Sequence, residues 1–292
     1  MRYKLVHNTS YEYSEQAALS QNELCLFPRN TFTQTCEKIT IKISPTPSIL
    51  DQLTDYFGNH VHHFMIKHPH DKLDIEAESI MQTFPYENTM QTSSTPWEFV
   101  KNQIHAHQNY NDLEAYQFVF PSDFIDLSPV FAEYAKISFY QERPVIEACL
   151  DLTERIFNDF AYTKGATIID TPLMDVFENK KGVCQDFAHF QIACLRSIGL
   201  AAKYVSGYLE TLPPPGKPKL VGVDASHAWI SVYVPDWGWI DFDPTNNVIP
   251  GERHITVAWG RDYGDVTPVK GLIWGGGTHK LSVNVDMMAL NG

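Results

Sequence analysis

The sequence predicts an α+β protein: an N-terminal antiparallel β domain followed by a core of helices packed on an antiparallel sheet. Three observations carry this reading. The first ninety or so residues alternate short apolar and polar runs with period two, as in Tyr3 and Leu5, Tyr11 and Tyr13, and Ile39, Ile41 and Ile43. Near Thr95 the spacing becomes helical. A helix between Gly182 and Gly199, apolar nearly all the way round, is then followed by further strand-like runs. With 292 residues the chain has room for about two domains of ~150 residues. We divide it into a β-rich domain over residues 1–94 and a second domain over residues 95–292.

Each element follows from local chemistry. In the first part, the two prolines between Ser44 and Ser48 and the turn-forming Phe57-Gly58-Asn59-His60 separate strands. Thr95 precedes Pro96 at a first helical position, and Trp97, Val100 and Ile104 recur at helical spacing. Ser128-Pro129 opens a second helix through Tyr134. From Arg143 to Phe160, apolar residues at Val145, Ile146, Cys149, Leu152, Ile156 and Phe157 repeat every three or four positions. The helix before Gly199 is buried by its composition, and Gly199 is placed to cap it in the left-handed conformation. Strand-like runs follow at 202–209, 220–223, 228–234 and 239–242. Leu212-Pro213-Pro214-Pro215-Gly216 reads as a stiff loop between strands. Gly275-Gly276-Gly277 lacks a following Lys-Ser/Thr and reads as a loop, not a phosphate cradle.

Composition narrows the function. Lys plus Arg number 22 against 35 for Asp plus Glu, a net charge of −13, and 43% of residues are hydrophobic. So negative a chain repels phosphate backbones and anionic lipid surfaces, which argues against nucleic acid or a membrane as a partner. No apolar run has the length of a signal peptide or a membrane span, so a cytoplasmic location is expected. Five cysteines without a C-x-x-C argue against a disulfide framework and against a cysteine-based zinc site.

Three segments hold the chemistry: Gly182-Val183-Cys184-Gln185-Asp186, Ser226-His227-Ala228-Trp229, and Trp239-Ile240-Asp241-Phe242-Asp243-Pro244-Thr245. They supply a thiol, an imidazole and a carboxylate. Cys184 opens the buried helix, where unpaired N–H groups and the macrodipole favour an anion and leave the sulfur accessible. Gly182 lets the backbone turn tightly or approach a substrate, and the Cys184 amide is a candidate oxyanion donor. His227 on one strand and Asp243 at the end of the next fit an antiparallel pair that sets imidazole beside carboxylate. Nucleophile, base and orienting group are then all present.

The G-x-C at a helix start, H-x-W on a strand and D-x-T after the next strand resemble the transglutaminase-like superfamily of papain-type cysteine enzymes. The likeness extends to Arg196-Ser197-Ile198-Gly199-Leu200, Val205-Ser206-Gly207-Tyr208 and Gly260-Arg261-Asp262-Tyr263-Gly264-Asp265, as in a bacterial branch with an N-terminal β domain. It implies a papain-like, transglutaminase-like core with the catalytic triad Cys184, His227 and Asp243. It also implies that Tyr208 and Trp229 line the substrate cleft, although such aromatics are more often core.

Other residues receive plainer readings. Cys194 lies within the apolar helix and is core, and Cys25, Cys36 and Cys149 are structural. Asp241 competes with Asp243 as the orienting carboxylate. His189 shares a face with Arg196, which is expected to be the less buried side of the helix, and Asp186 complements the helix dipole. His60, His62, His63, His68 and His70 form a cluster with no further metal-like signature, and are expected to be solvated strand and turn residues rather than a metal site. The expected function is cysteine-dependent acyl transfer on an amide or peptide through a thioester, needing no cofactor, with hydrolysis favoured over cross-linking and a peptide or protein as substrate. The rival reading is a protein-binding module with a dormant triad.

Overall fold

A computed structural model describes residues 1–85, 95–211, 225–235 and 237–290. Among the described residues the alternating pattern of the first part becomes five strands: β1 (Arg2–Leu24), β2 (Gln34–Ser44), β3 (Ile49–Thr54), β4 (His60–Ile66) and β5 (His70–Thr83). They lie in the order β2-β5-β1-β4-β3. Gly58, at φ 76°, makes the turn between β3 and β4 that its sequence predicts. Among the described residues six α-helices follow: α1 (Trp97–Ala106), α2 (Tyr110–Tyr116), α3 (Pro129–Ser138), α4 (Val145–Asp159), α5 (Leu173–Asn179) and α6 (Cys184–Ser197). Ser128 caps α3, its hydroxyl accepting from the Val130 amide at 3.3 Å. Two-residue strands β6 (Ala161–Tyr162) and β7 (Lys181–Gly182) pair in parallel just before α6.

The second sheet is built from β8 (Ala202–Leu209), β9 (Ala225–Val234), β10 (Gly238–Phe242) and β11 (His254–Gly260), in the order β10-β9-β8-β11. Helix α6 packs on β8 and β9. Its Phe190 lies at the centre of an aromatic cluster with Phe131, Tyr134, Phe160 and Phe177. Gly199 leaves α6 at φ 90°. The expected run at 220–223 and the loop at 212–216 lie outside the described residues.

The last two strands, β12 (Val269–Gly275) and β13 (His279–Ala289), return to the first sheet and pair with β1. The second domain expected over 95–292 is therefore corrected at its end: residues 269–289 complete the N-terminal sheet. Gly275 (φ 87°) ends β12 beside the irregularity in β1 near Ala17, and Gly276 and Gly277 (φ 84° and 60°) lie in the loop that leads to β13.

The two parts share one hydrophobic core, in which Tyr3, Leu5, Met81, Val285 and Met287 join Tyr208, Ile230 and Ile255. Two carboxamides close the open edge of β11. Gln34 bonds both the carbonyl and the amide of Thr256, at 2.7 and 2.8 Å, and Asn59 does the same for Trp259, at 2.9 and 3.0 Å. Each side chain offers the donor and acceptor that a fifth strand would have supplied. Among the described residues no helix is long and apolar enough to cross a membrane.

Candidate active site

Cys184 is half-buried at the first position of α6. The turn before it is held by Asp186, whose carboxylate accepts from the Val183 amide at 2.7 Å and the Thr167 hydroxyl at 2.6 Å. A Cβ on Gly182 would lie 2.7 Å from that carboxylate. Gly182 is therefore required by the close approach of Asp186, a more specific reason than the tight turn or substrate approach the sequence suggested. Pairing of β6 with β7, and the bond from the Thr163 amide to the Gly182 carbonyl at 2.8 Å, also fix the chain just before Cys184.

His227 lies near the start of β9, and β10 runs antiparallel beside it, ending at Phe242. Asp243 follows at once and is fully buried. His227 Nε2 and Asp243 Oδ2 are 2.8 Å apart, and the Cys184 thiol is near enough to the His227 ring to favour its protonated form. Since Nε2 serves the carboxylate, Nδ1 is the nitrogen left for the sulfur. Burial disfavours charge on His227, but the hydrogen bond to Asp243 and the nearby Cys184 sulfur outweigh it and raise the ring's pKa to about 10. Burial also opposes ionisation of Asp243, yet the bonds from His227, His254 and Asn246 hold its carboxyl well below the usual range.

Two of these partners escape the sequence reading. Asn246 donates to Asp243 Oδ2 at 2.7 Å and lies 3.2 Å from His227 Nε2. Its signal was available, because Asp243 opens an Asx-type turn whose Oδ1 accepts from the Thr245 and Asn246 amides. His254, the first residue of β11, places Nε2 3.1 Å from Asp243 Oδ2. No local motif marks it. His227, Asp243 and His254 also form a group of potential metal-ligating atoms within 4.8 Å of one another, among the described residues. Their hydrogen bonds to each other already account for that proximity.

The neighbouring carboxylate has a different partner. Asp241 Oδ2 accepts from Trp229 Nε1 at 3.0 Å and does not meet His227. Trp229 is fully buried and lies across Gly207, where any Cβ would collide with the indole and with the Ile255 carbonyl. Tyr208 points elsewhere: its hydroxyl is 2.8 Å from His7 Nδ1 in the core shared with the first sheet. Burial lowers the pKa of His7 to about 4, so the ring is neutral there. The structure thus brings Cys184, His227 and Asp243 together, sets Trp229 behind them, and leaves Tyr208 at the boundary between the two parts.

Two expectations for polar residues are corrected. His189 and Arg196 do share a face of α6, but both are buried, at 3% and 2% exposure. Arg196 donates to the carbonyls of Phe120, Ala202 and Arg261, while His189 Nε2 accepts from the Tyr263 amide at 3.1 Å. Burial brings the His189 pKa down to about 3 and that of Arg196 to about 9. Within the histidine cluster, His62 and His70 are buried, not solvated. His62 packs on Phe27 at 4.6 Å between ring centres, and His70 Nδ1 lies 2.9 Å from the His68 carbonyl.

An N-terminal antiparallel sheet, a buried helix with a cysteine at its start and an antiparallel sheet bearing histidine and aspartate define a protein of the transglutaminase-like class. Comparison with known proteins agrees. Residues 3–82 match the bacterial transglutaminase-like N-terminal region and residues 135–244 match the transglutaminase-like superfamily. An uncharacterized protein of Mycobacterium tuberculosis is 38% identical over 299 aligned positions, covering 100% of this chain and 94% of its own length. The chain belongs to the transglutaminase-like superfamily. Its fold is shared by a Cytophaga hutchinsonii structure described provisionally as a cysteine protease, with a TM-score of 0.79 and 21% identity over 100% of this chain and 91% of the other. A protein-glutamine gamma-glutamyltransferase of Pseudomonas aeruginosa is 36% identical over 97 residues, which cover 31% of this chain and 14% of that protein.

Proposed function

We propose that this protein is a cysteine-dependent acyl-transfer enzyme acting on an amide or peptide bond, in which a thioester on Cys184 is resolved mainly by water. The observation that carries the reading is the placement of the Cys184 thiol beside the His227 ring, whose Nε2 lies 2.8 Å from Asp243 Oδ2. In this reading Cys184 Sγ, with the proton of the pair held on His227 Nδ1, attacks the carbonyl carbon. The C–S bond forms as the carbonyl electrons move to oxygen, which the Cys184 amide at the helix start stabilises. Collapse of the tetrahedral intermediate breaks the C–N bond, and the proton on His227 goes to the departing amine. Water then attacks the thioester, giving its proton to Nδ1, and the acid leaves as the sulfur is released. Asp243 stabilises the imidazolium and fixes the ring orientation, with Asn246 and His254 holding the carboxylate.

These groups need no cofactor for the steps described. Membership of the superfamily supports acyl chemistry, and the local likeness to a gamma-glutamyltransferase supports an amide as donor. The test is a mixture of peptide amides incubated with enzyme, with and without millimolar primary amine, and analysed by mass spectrometry. Acid products that disappear in Cys184→Ala are expected. Predominant amine adducts would make the protein a transglutaminase in the strict sense, and an undiminished Cys184→Ala product would overturn the reading.

A further inference from the structure

A cavity of about 610 Å³ lies between loop residues of the first part, such as Thr33, Phe57 and Phe84, helix α2 and one face of the second sheet. That volume is within the range of small-molecule sites. Trp229, Trp237, Trp239, Phe57 and Phe118 supply aromatic walls, and Cys184 is not part of them. Strand register sets Lys203, Ser231 and Asp241 in a row across β8, β9 and β10, all lining this space.

Lys203 is the anomaly in this wall. It is 4% exposed, with Nζ 4.2 Å from the ring centre of Trp239 and 3.7 Å from that of Trp259. Among the described residues no acceptor hydrogen-bonds to it and no carboxylate is within ion-pair distance. Ring faces stabilise an ammonium only in part, so a buried amine without an acceptor still bears most of its desolvation cost. The burial that imposes this cost pulls the Lys203 pKa down to about 7, against the attraction of Asp241. Asp241 is already engaged by Trp229 Nε1, and Glu114 adds a second acidic group to the wall. Two acidic groups around one ammonium disfavour a dianion, whereas a single carboxylate can meet Nζ while its apolar body lies among the rings.

We propose that this cavity is a ligand site, separate from Cys184, for a compound that joins one carboxylate to an aromatic ring, with the carboxylate accepting from Lys203 Nζ. A free aryl acid and a peptide ending in phenylalanine share that chemistry. The site does not depend on turnover, so it can stand or fall independently of the proposed reaction.

Isothermal titration calorimetry of the full chain with 3-phenylpropionate, its neutral isostere 3-phenylpropionamide and acetyl-Gly-Phe tests the site. The acid is expected to bind at least tenfold tighter than the amide. Lys203→Met should abolish that preference, and Cys184→Ala should retain it. Tighter binding of acetyl-Gly-Phe than of 3-phenylpropionate would identify a peptide terminus as the source of the carboxylate. Should Lys203→Met lose its near-ultraviolet dichroism, the acid-to-amide ratio in the native protein decides, with Trp237→Ala expected to weaken acid and amide alike. Equal binding of acid and amide, no binding of either at millimolar concentration, or loss of the preference in Cys184→Ala would overturn the proposal.

Discussion

His254 Nε2 lies 3.1 Å from Asp243 Oδ2, the oxygen that also serves His227. The carboxylate is thus held from β11 as well as from the turn that carries it. His254→Ala should leave the fold intact and lower kcat roughly tenfold, the scale of one hydrogen bond to a charged group. A purely structural role would leave the pH–rate profile unmoved; a shift of that profile in the variant is the expected result.

Asp243 and Asp241 should separate cleanly in function. Asp243→Asn should depress kcat on the order of 10³-fold or more, because an amide can hold the wrong imidazole tautomer. Asp241→Asn, which removes charge from the carboxylate beneath Trp229, should cost no more than about tenfold. Steady-state kinetics on both variants checks this, and a reversed order would move the orienting role to Asp241.

The His227–Asp243 pair imposes a pH window on stability. The folded-state pKa of His227 is raised from 6.5 to about 10, so its contribution is complete below pH 6.5 and is lost as pH rises toward 10. Asp243 is depressed below 3.8, so its contribution is present above that value and is lost as pH falls further. The difference in Tm between the native protein and His227→Asn should therefore shrink between pH 6.5 and 10. Taking the difference isolates His227 from Lys203, whose lowered pKa gives the opposite trend, with stability rising from pH 7 toward 10.5. A difference that stays constant to pH 10 would contradict the raised pKa.

Asn59 is fully buried, and its carboxamide serves both the amide and the carbonyl of Trp259. Asn59→Ala leaves both without that partner, and should cost about 2–4 kcal/mol in urea-induced unfolding. A loss under ~0.5 kcal/mol would show that the carboxamide does not secure the edge of β11.

The nucleophile, imidazole and carboxylate were legible because each sits at a position with local chemistry: Cys184 at a helix start, His227 on a strand, Asp243 before a turn. His254 was not legible, since its approach to Asp243 depends on β11, a strand the sequence reading did not identify, pairing with β8. The return of β12 and β13 to β1 was hidden for the same reason, as partners such as Tyr3 and Ala289 lie at opposite ends of the chain. Arg196 and His189 misled because polarity at helical spacing reads as solvent exposure, whereas their partners are backbone groups at Phe120, Ala202, Arg261 and Tyr263 that the fold brings against this face. Lys203 is the one charged residue of β8, and the two tryptophan faces beside it explain how it is accommodated there.

The central claim is that Cys184 is an activated nucleophile. Iodoacetamide at near-neutral pH, followed by peptide mapping of all five cysteines, tests it directly. Cys25, Cys149 and Cys194 are buried and Cys36 is part-buried, with burial raising the pKa of each of these four thiols. Cys184 should be carboxamidomethylated well before the rest, and replacement of His227 by Asn should slow that reaction at least tenfold. Equal rates at Cys184 and Cys36, or a rate at Cys184 indifferent to His227, would contradict the account.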